Sequence, residues 1–362
     1  MMRISIYGVL ILLCLANSAR AQRAAPVISP ELSENGTVTF RIQADKAEAV
    51  ELAGQWPDGQ HPMVKNDRGV WEISVDAIPA GVWEYSLRVD GVSMIDPGNT
   101  SIKPMRSPRT SILHIAGTPP LVHDFQDVPH GTVRSHTYRS KSLDTLRELS
   151  VYTPPNYDAD SQTKFPTLYL QHGAGDNQAT WTVHGKAHWI IDNLIAVNQA
   201  QPMVVVMMDG HANPAGAPRG FGIESFEKDL LQDVMPFVEA NYRVDSRPEQ
   251  RAIVGLSMGG GQALTIGLNH TDTFAWVGGF SSAVPNTDSI TTALENPSTM
   301  NERLKLLWIA CGKDDFLIQR NEQFIETLNE KSIDHEWHLT EGNHSWPVWR
   351  EYLADLVPRL FQ

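Results

Sequence analysis

Cysteine is nearly absent. Among 362 residues only Cys14 and Cys311 occur, which excludes a disulfide-dense scaffold and any cysteine-based zinc site. Basic residues are outnumbered, 29 Lys and Arg against 42 Asp and Glu, and they form no run. A nucleic-acid surface needs clustered cations, so nucleic acid is not an expected partner. One apolar stretch stands out, Ile4 to Leu15, and it is shorter than the roughly 20 residues a bilayer span needs. Internal repeats and low-complexity tracts are also missing. The remainder, 41% hydrophobic and 20% charged, can bury a sizeable core, and the length corresponds to about two domains.

Residues 1–21 read as a secretory signal: Arg3 opens it, Ile4 to Leu15 follow, and Ala19-Arg20-Ala21 has the small-x-small cleavage pattern. Cys14 lacks the small preceding residues of a lipidation site, since Leu12 and Leu13 come before it. Cleavage after Ala21 removes Arg3 and Arg20 and no acid, taking the net charge from −13 to −15 and leaving Cys311 without a partner. The expected mature protein is exported, secreted or periplasmic, soluble and acidic, with no membrane contact after cleavage. The sequence does not disclose its oligomeric state.

A first domain is expected over residues 22–118, within which the pattern from about Val27 to Ala116 has a period of two. Trp71, Ile73 and Val75 alternate with Glu72, Ser74 and Asp76, and Trp83, Tyr85, Leu87 and Val89 alternate with Glu84, Ser86 and Arg88. Asp90-Gly91 between Val89 and Val92 is a two-residue hairpin turn, and Val38-Phe40-Ile42 and Val50-Leu52 add short strands. The pattern predicts a small all-β sandwich of the immunoglobulin-like kind. The run "GVWEISVDAIPAGVWEYSLRVDG" followed by "DPGNT" resembles the carbohydrate-binding modules at the front of glycogen-branching and debranching enzymes. That resemblance implies sugar binding on exposed aromatics. Trp71 and Trp83, in phase with aliphatics, are expected in the core, whereas Trp56, beside Pro57-Asp58-Gly59, is the candidate platform.

After a proline-containing stretch, 117–131, the grammar changes. In the second domain, expected over residues 119–362, short apolar runs beyond that stretch alternate with helical periods: Thr167–Gln171, Met203–Met208, Ile253–Val254, Trp276–Phe280 and Leu306–Ala310 predict buried parallel strands. Helices are predicted over 187–198, 225–242 and 319–331. The alternation means an α/β sheet covered on both faces. Gly255-Leu256-Ser257-Met258-Gly259 follows a strand and opens a helix, the strand–turn–helix setting of a nucleophile elbow. A serine hydroxyl needs a base and the base an orienting acid, in the chain order Ser, acid, His. Asp315, at the carboxyl end of the strand 306–310, is the expected acid, with Asp314 the alternative; His344, in the loop after a strand at 335–339, is the expected base. An oxyanion needs backbone N–H donors. Met258, next to the nucleophile, and Ala174, in the loop Gln171-His172-Gly173-Ala174-Gly175, are the expected pair, with His172 shaping that loop. Trp181 and Trp346, with residues 209–222, are candidate walls of the acyl pocket.

Taken in order, "VYTPPNY", "YLQHGAG", "RAIVGLSMGGGQAL", "LKLLWIACGKDD" and "GNHSWPVW" are similar to the secreted feruloyl esterases of the esterase D-like group, carbohydrate esterase family one. The resemblance spans 131–362 and implies an α/β-hydrolase with nucleophile Ser257, acid Asp315 and histidine His344. It also implies no metal or organic cofactor and, as partner, a feruloylated or acylated plant polysaccharide or oligosaccharide. Ala174-Gly175-Asp176 departs from the family's glycine-richer first loop. The alternatives left open are an acetylxylan esterase, a periplasmic siderophore trilactone esterase and a non-catalytic carbohydrate-binding protein.

Overall fold

The computed structural model describes residues 26–159, 162–213 and 222–362. The predicted signal segment lies outside the described residues. Among these residues no helix is long and apolar enough to cross a membrane.

The period-two block forms two antiparallel sheets. One runs in the order Glu31–Leu32, Val38–Gln43, Val70–Val75, Val64–Lys65. The other runs Gln60–Pro62, Val50–Gly54, Gly81–Val89, Val92–Met94, with Ser111–Ile115 also paired to Gly81–Val89. Alternation along each strand sends one set of side chains inward. Val38, Phe40, Ile42, Leu52, Tyr85 and Leu87 meet between the sheets. Asp90 and Gly91 both take positive φ, 47° and 82°, which a two-residue turn with the twist of a hairpin demands. Trp56 overturns its expected role. It is only 4% exposed and stacks on Phe40 at 5.9 Å, because the turn around Gly59 folds its indole over the end of the core.

The second block is an eight-stranded mixed sheet. Its spatial order is Thr132–Ser140, Thr145–Thr153, Val204–Met208, Thr167–Gln171, Arg251–Leu256, Trp276–Phe280, Leu306–Gly312, Glu336–Thr340. The first two strands form an antiparallel hairpin, Thr145–Thr153 pairs antiparallel with Val204–Met208, and the remaining neighbours are parallel. Successive residues feed two different apolar layers: Val204, Val206 and Met208 face one, Val205 and Met207 the other. That double burial is why these strands read as unbroken apolar runs. The helices Ala187–Ala196 and Trp346–Leu356 cover one face. Ile223–Asp229, Met235–Asn241, Met258–Asn269 and Ile318–Glu330 contribute to the other.

The joining residues 117–131 are docked against the hydrolase. The Asp124 carboxylate accepts from the Gly117 and Leu121 N–H groups, and the Asn193 amide donates to the carbonyls of Val122 and Asp124. Across the boundary, the buried Arg350 donates to the Val82 carbonyl at 2.6 Å and to the His184 carbonyl at 3.1 Å.

Candidate active site

The site gathers at the carboxyl ends of the parallel strands, where loops from several strands meet. Ser257 follows the strand Arg251–Leu256 directly and caps the helix Met258–Asn269 with φ 52° and ψ −116°. So strained a backbone survives only when its surroundings fix it. The flanking glycines do so. A Cβ on Gly255 would lie 2.3 Å from the Gly259 carbonyl oxygen, and one on Gly259 would lie 2.4 Å from that of His172. The G-x-S-x-G spacing is therefore a steric requirement of this turn.

Three side chains predicted from sequence come into one hydrogen-bonded line. The Ser257 hydroxyl donates to His344 Nε2 at 3.0 Å, and His344 Nδ1–H donates to Asp315 Oδ2 at 2.8 Å. Asp315 is 2% exposed and also accepts from the Leu317 N–H at 2.8 Å. Burial alone would raise its pKa, but the hydrogen bonds from His344 and from the Leu317 N–H outweigh it and hold the carboxyl below its ordinary range. Asp314, the alternative acid, is exposed and its side chain takes no part in this line. The imidazole is flanked by Phe316 at 4.4 Å and, edge to face, by Trp349 at 4.9 Å.

Met258 opens the helix, so its N–H has no acceptor within it. Ala174 is exposed beside Ser257, and its N–H has no acceptor among the described residues. The arrangement leaves both groups available for an incoming anion. His172 behaves as a packed residue: Nε2 accepts from the Gly210 N–H at 2.9 Å, which leaves Nδ1–H to face the Gly173 carbonyl at 2.8 Å. Cys311 lies buried below the site, and burial pushes its thiol pKa up to about 12, which makes it a poor nucleophile.

A cavity of about 330 Å³ opens above Ser257, and Leu256, Phe316, His344, Trp346 and Trp349 contribute to its wall. Trp346 lines it while remaining only 2% exposed. Trp181 does not line it, contrary to expectation. Its indole N–H is spent on the Gln171 carbonyl and its ring packs on Trp346 and Phe280, so it supports the wall from behind. Of residues 209–222, positions 214–221 lie outside the described residues. Sequence reasoning missed Phe316, whose signal was its place directly after the acid, and Trp349, one helical turn from Trp346. It also missed that the N-terminal domain supplies Glu84, Lys103, Met105 and Arg109 to the same cavity.

Comparison with known proteins agrees with this architecture. The endo-1,4-beta-xylanase/feruloyl esterase of Xylanibacter ruminicola is 29% identical over 341 residues, covering 92% of this chain; the chain spans only 46% of that relative's length. A solved ferulic acid esterase superposes with a TM-score of 0.58 at 25% identity, covering 64% of this chain and 99% of its own. The enterobactin esterase of Shigella flexneri, at 18% identity, shares the fold over 92% of this chain and 96% of its own, with a TM-score of 0.64. The model of carbohydrate-binding module 48, the isoamylase N-terminal domain, matches residues 27–105. The model described as putative esterase matches residues 140–360, and the chain belongs to that family.

Proposed function

We propose that this chain is a serine carboxylesterase that releases ferulate or related hydroxycinnamates from ester links on plant cell-wall arabinoxylan. The observation that carries the reading is the line Ser257–His344–Asp315 at the floor of an aromatic-walled cavity. Ser257 attacks the ester carbonyl while His344 takes its proton, and the Met258 and Ala174 N–H groups receive the oxyanion. Asp315 holds the imidazole in the tautomer with Nδ1 protonated and stabilises the imidazolium. His344 then protonates the departing sugar alcohol, leaving an acyl-serine. Water attacks that ester with His344 again as base, and the proton returns to Ser257 as the acid leaves.

The acyl identity is supported by the names of the xylanase/feruloyl esterase relative and of the solved ferulic acid esterase, together with the apolar wall of Phe316, Trp346 and Trp349. The match to carbohydrate-binding module 48 supports a polysaccharide as the alcohol portion. Residues 1–21 support placing the activity outside the cytoplasm.

Hydrolysis of methyl ferulate against an aryl acetate, by the chain and by Ser257→Ala, tests the reading. The expected result is preference for ferulate and a fall of about 10⁴-fold or more in the variant. Acetate preference would move the function to deacetylation, and turnover of neither ester would overturn the assignment.

A further inference from the structure

The loop that carries Ala174 is held from the other domain. Within the hydrolase its base is tied through Gln171 and His172 to Trp181 and Gly210, and nearer its tip Asp176 N–H donates to the Gly173 carbonyl at 3.3 Å and Gly175 N–H to His211 Nε2 at 3.1 Å. The N-terminal domain adds more. Arg106 N–H donates to the Gly175 carbonyl at 2.9 Å, Met105 forms an isolated antiparallel bridge with Asp176, and Lys103 Nζ lies 3.2 Å from Asp176 Oδ1. The Thr180 hydroxyl donates to the Pro104 carbonyl at 2.7 Å. Pro104 and Pro108 restrict the backbone of this segment.

Lys103 is the centre of the contact. Its side chain is 8% exposed, its ammonium donates a hydrogen bond to Glu84 Oε1 at 2.9 Å and forms an ion pair with Asp176 Oδ1 at 3.2 Å without hydrogen-bond geometry, and it lies 5.7 Å from the Trp346 ring centroid. Burying an ammonium so deeply is unfavourable unless its partners are well placed. Here they are one carboxylate from its own domain and one from the hydrolase loop, beside an aromatic wall of the cavity. The connection therefore fixes a position as well as joining two domains.

We propose that Lys103 of the N-terminal domain is a positioning residue for the Ala174 loop, so that ester turnover requires this domain even for substrates too small to touch a sugar-binding surface. The inference deepens the esterase reading and rests on it. An oxyanion donor contributes only when it meets the developing charge, and displacement by about 1 Å costs on the order of 10²-fold in rate. Binding of the ground-state ester needs that donor far less.

The test uses the full chain and a small aryl acetate. Lys103→Met leaves two carboxylates without their cation and can impair folding, so Lys103→Met/Asp176→Asn, which keeps the formal charge balance, is measured beside it. A fluorophosphonate that acylation-competent serine captures counts the active sites in each preparation. The expected result is a fall in kcat per titrated site of about 10- to 100-fold with KM within about twofold, and recovery of most of the loss in Lys103→Arg. A purely structural role would instead lower the number of titrated sites and leave kcat per site unchanged, which would overturn the proposal, as would a change confined to KM. An unmodified chain that neither hydrolyses esters nor reacts with the phosphonate would overturn the esterase reading, and this proposal with it.

Discussion

At the scale of single residues, Asp315 shows what sequence order can and cannot assign. An acid at the end of the strand Leu306–Gly312 was legible, but Asp314 and Asp315 are adjacent and chemically equal. Burial separated them: Asp315 turns inward to His344 while Asp314 stays exposed. Replacing Asp315 by Asn keeps the shape and loses the charge, and it favours the wrong tautomer of His344. We expect kcat to fall about 10⁴-fold with the fold intact, read from steady-state kinetics and a circular dichroism spectrum. A loss of less than about tenfold would remove Asp315 from the assigned role. Tryptophans were harder to place. Trp56 and Trp181 lie outside the clear strand period, and nothing local says which way an indole points; Phe40 and Trp346 decide it from distant positions.

At the scale of elements, the buried parallel strands were readable because each residue is apolar on both faces, and Thr167–Gln171 and Trp276–Phe280 agree with their predicted limits. Thr132–Ser140 was not readable. It is an edge strand of mostly polar residues, held by a nine-residue antiparallel register with Thr145–Thr153 and not by a hydrophobic period. The predicted helix 225–242 is interrupted at Leu230–Val234, where the helix widens to i→i+5 bonding just before Pro236. The elbow yields a sharper prediction. Gly259→Ala would drive a methyl group into the His172 carbonyl, so the helix or the first loop must shift. We expect about 1–3 kcal/mol of destabilisation and loss of turnover, measured by denaturant unfolding and ester hydrolysis. Unchanged stability and activity would contradict the close approach at this position.

At the scale of the whole molecule, the docking of the two domains brings titratable groups into their shared boundary. His123 on the joining residues and His188 on the helix Ala187–Ala196 are both held at about 4 by burial, helped by Arg350 and by Lys186 respectively. His184, beside Glu84, is held at about 3, again chiefly by burial. The ordinary value is 6.5. These groups resist protonation in the folded chain more than in the unfolded one. Their contribution is complete above pH 6.5 and is lost as pH falls from there toward 4, where the unfolded form gains protons that the folded form does not. The melting temperature is therefore expected to be level above neutrality and to fall between pH 6.5 and 4. A His123→Gln/His188→Gln variant should flatten that slope in a fluorimetric melt; an identical slope would show that other groups carry it.

The sequence by itself determined the elements and the chemistry. Period two, double-sided apolar strands and the glycine-flanked Ser257 are local patterns, because backbone geometry and steric exclusion act between near neighbours. The order of Ser257, Asp315 and His344 was equally legible, since each follows a predicted strand. Only the tertiary structure decided which tryptophans line the cavity, and that Lys103 and Met105 reach the hydrolase site from the N-terminal domain. Those contacts join residues far apart in the chain, and their energies depend on packing and burial that no local period encodes.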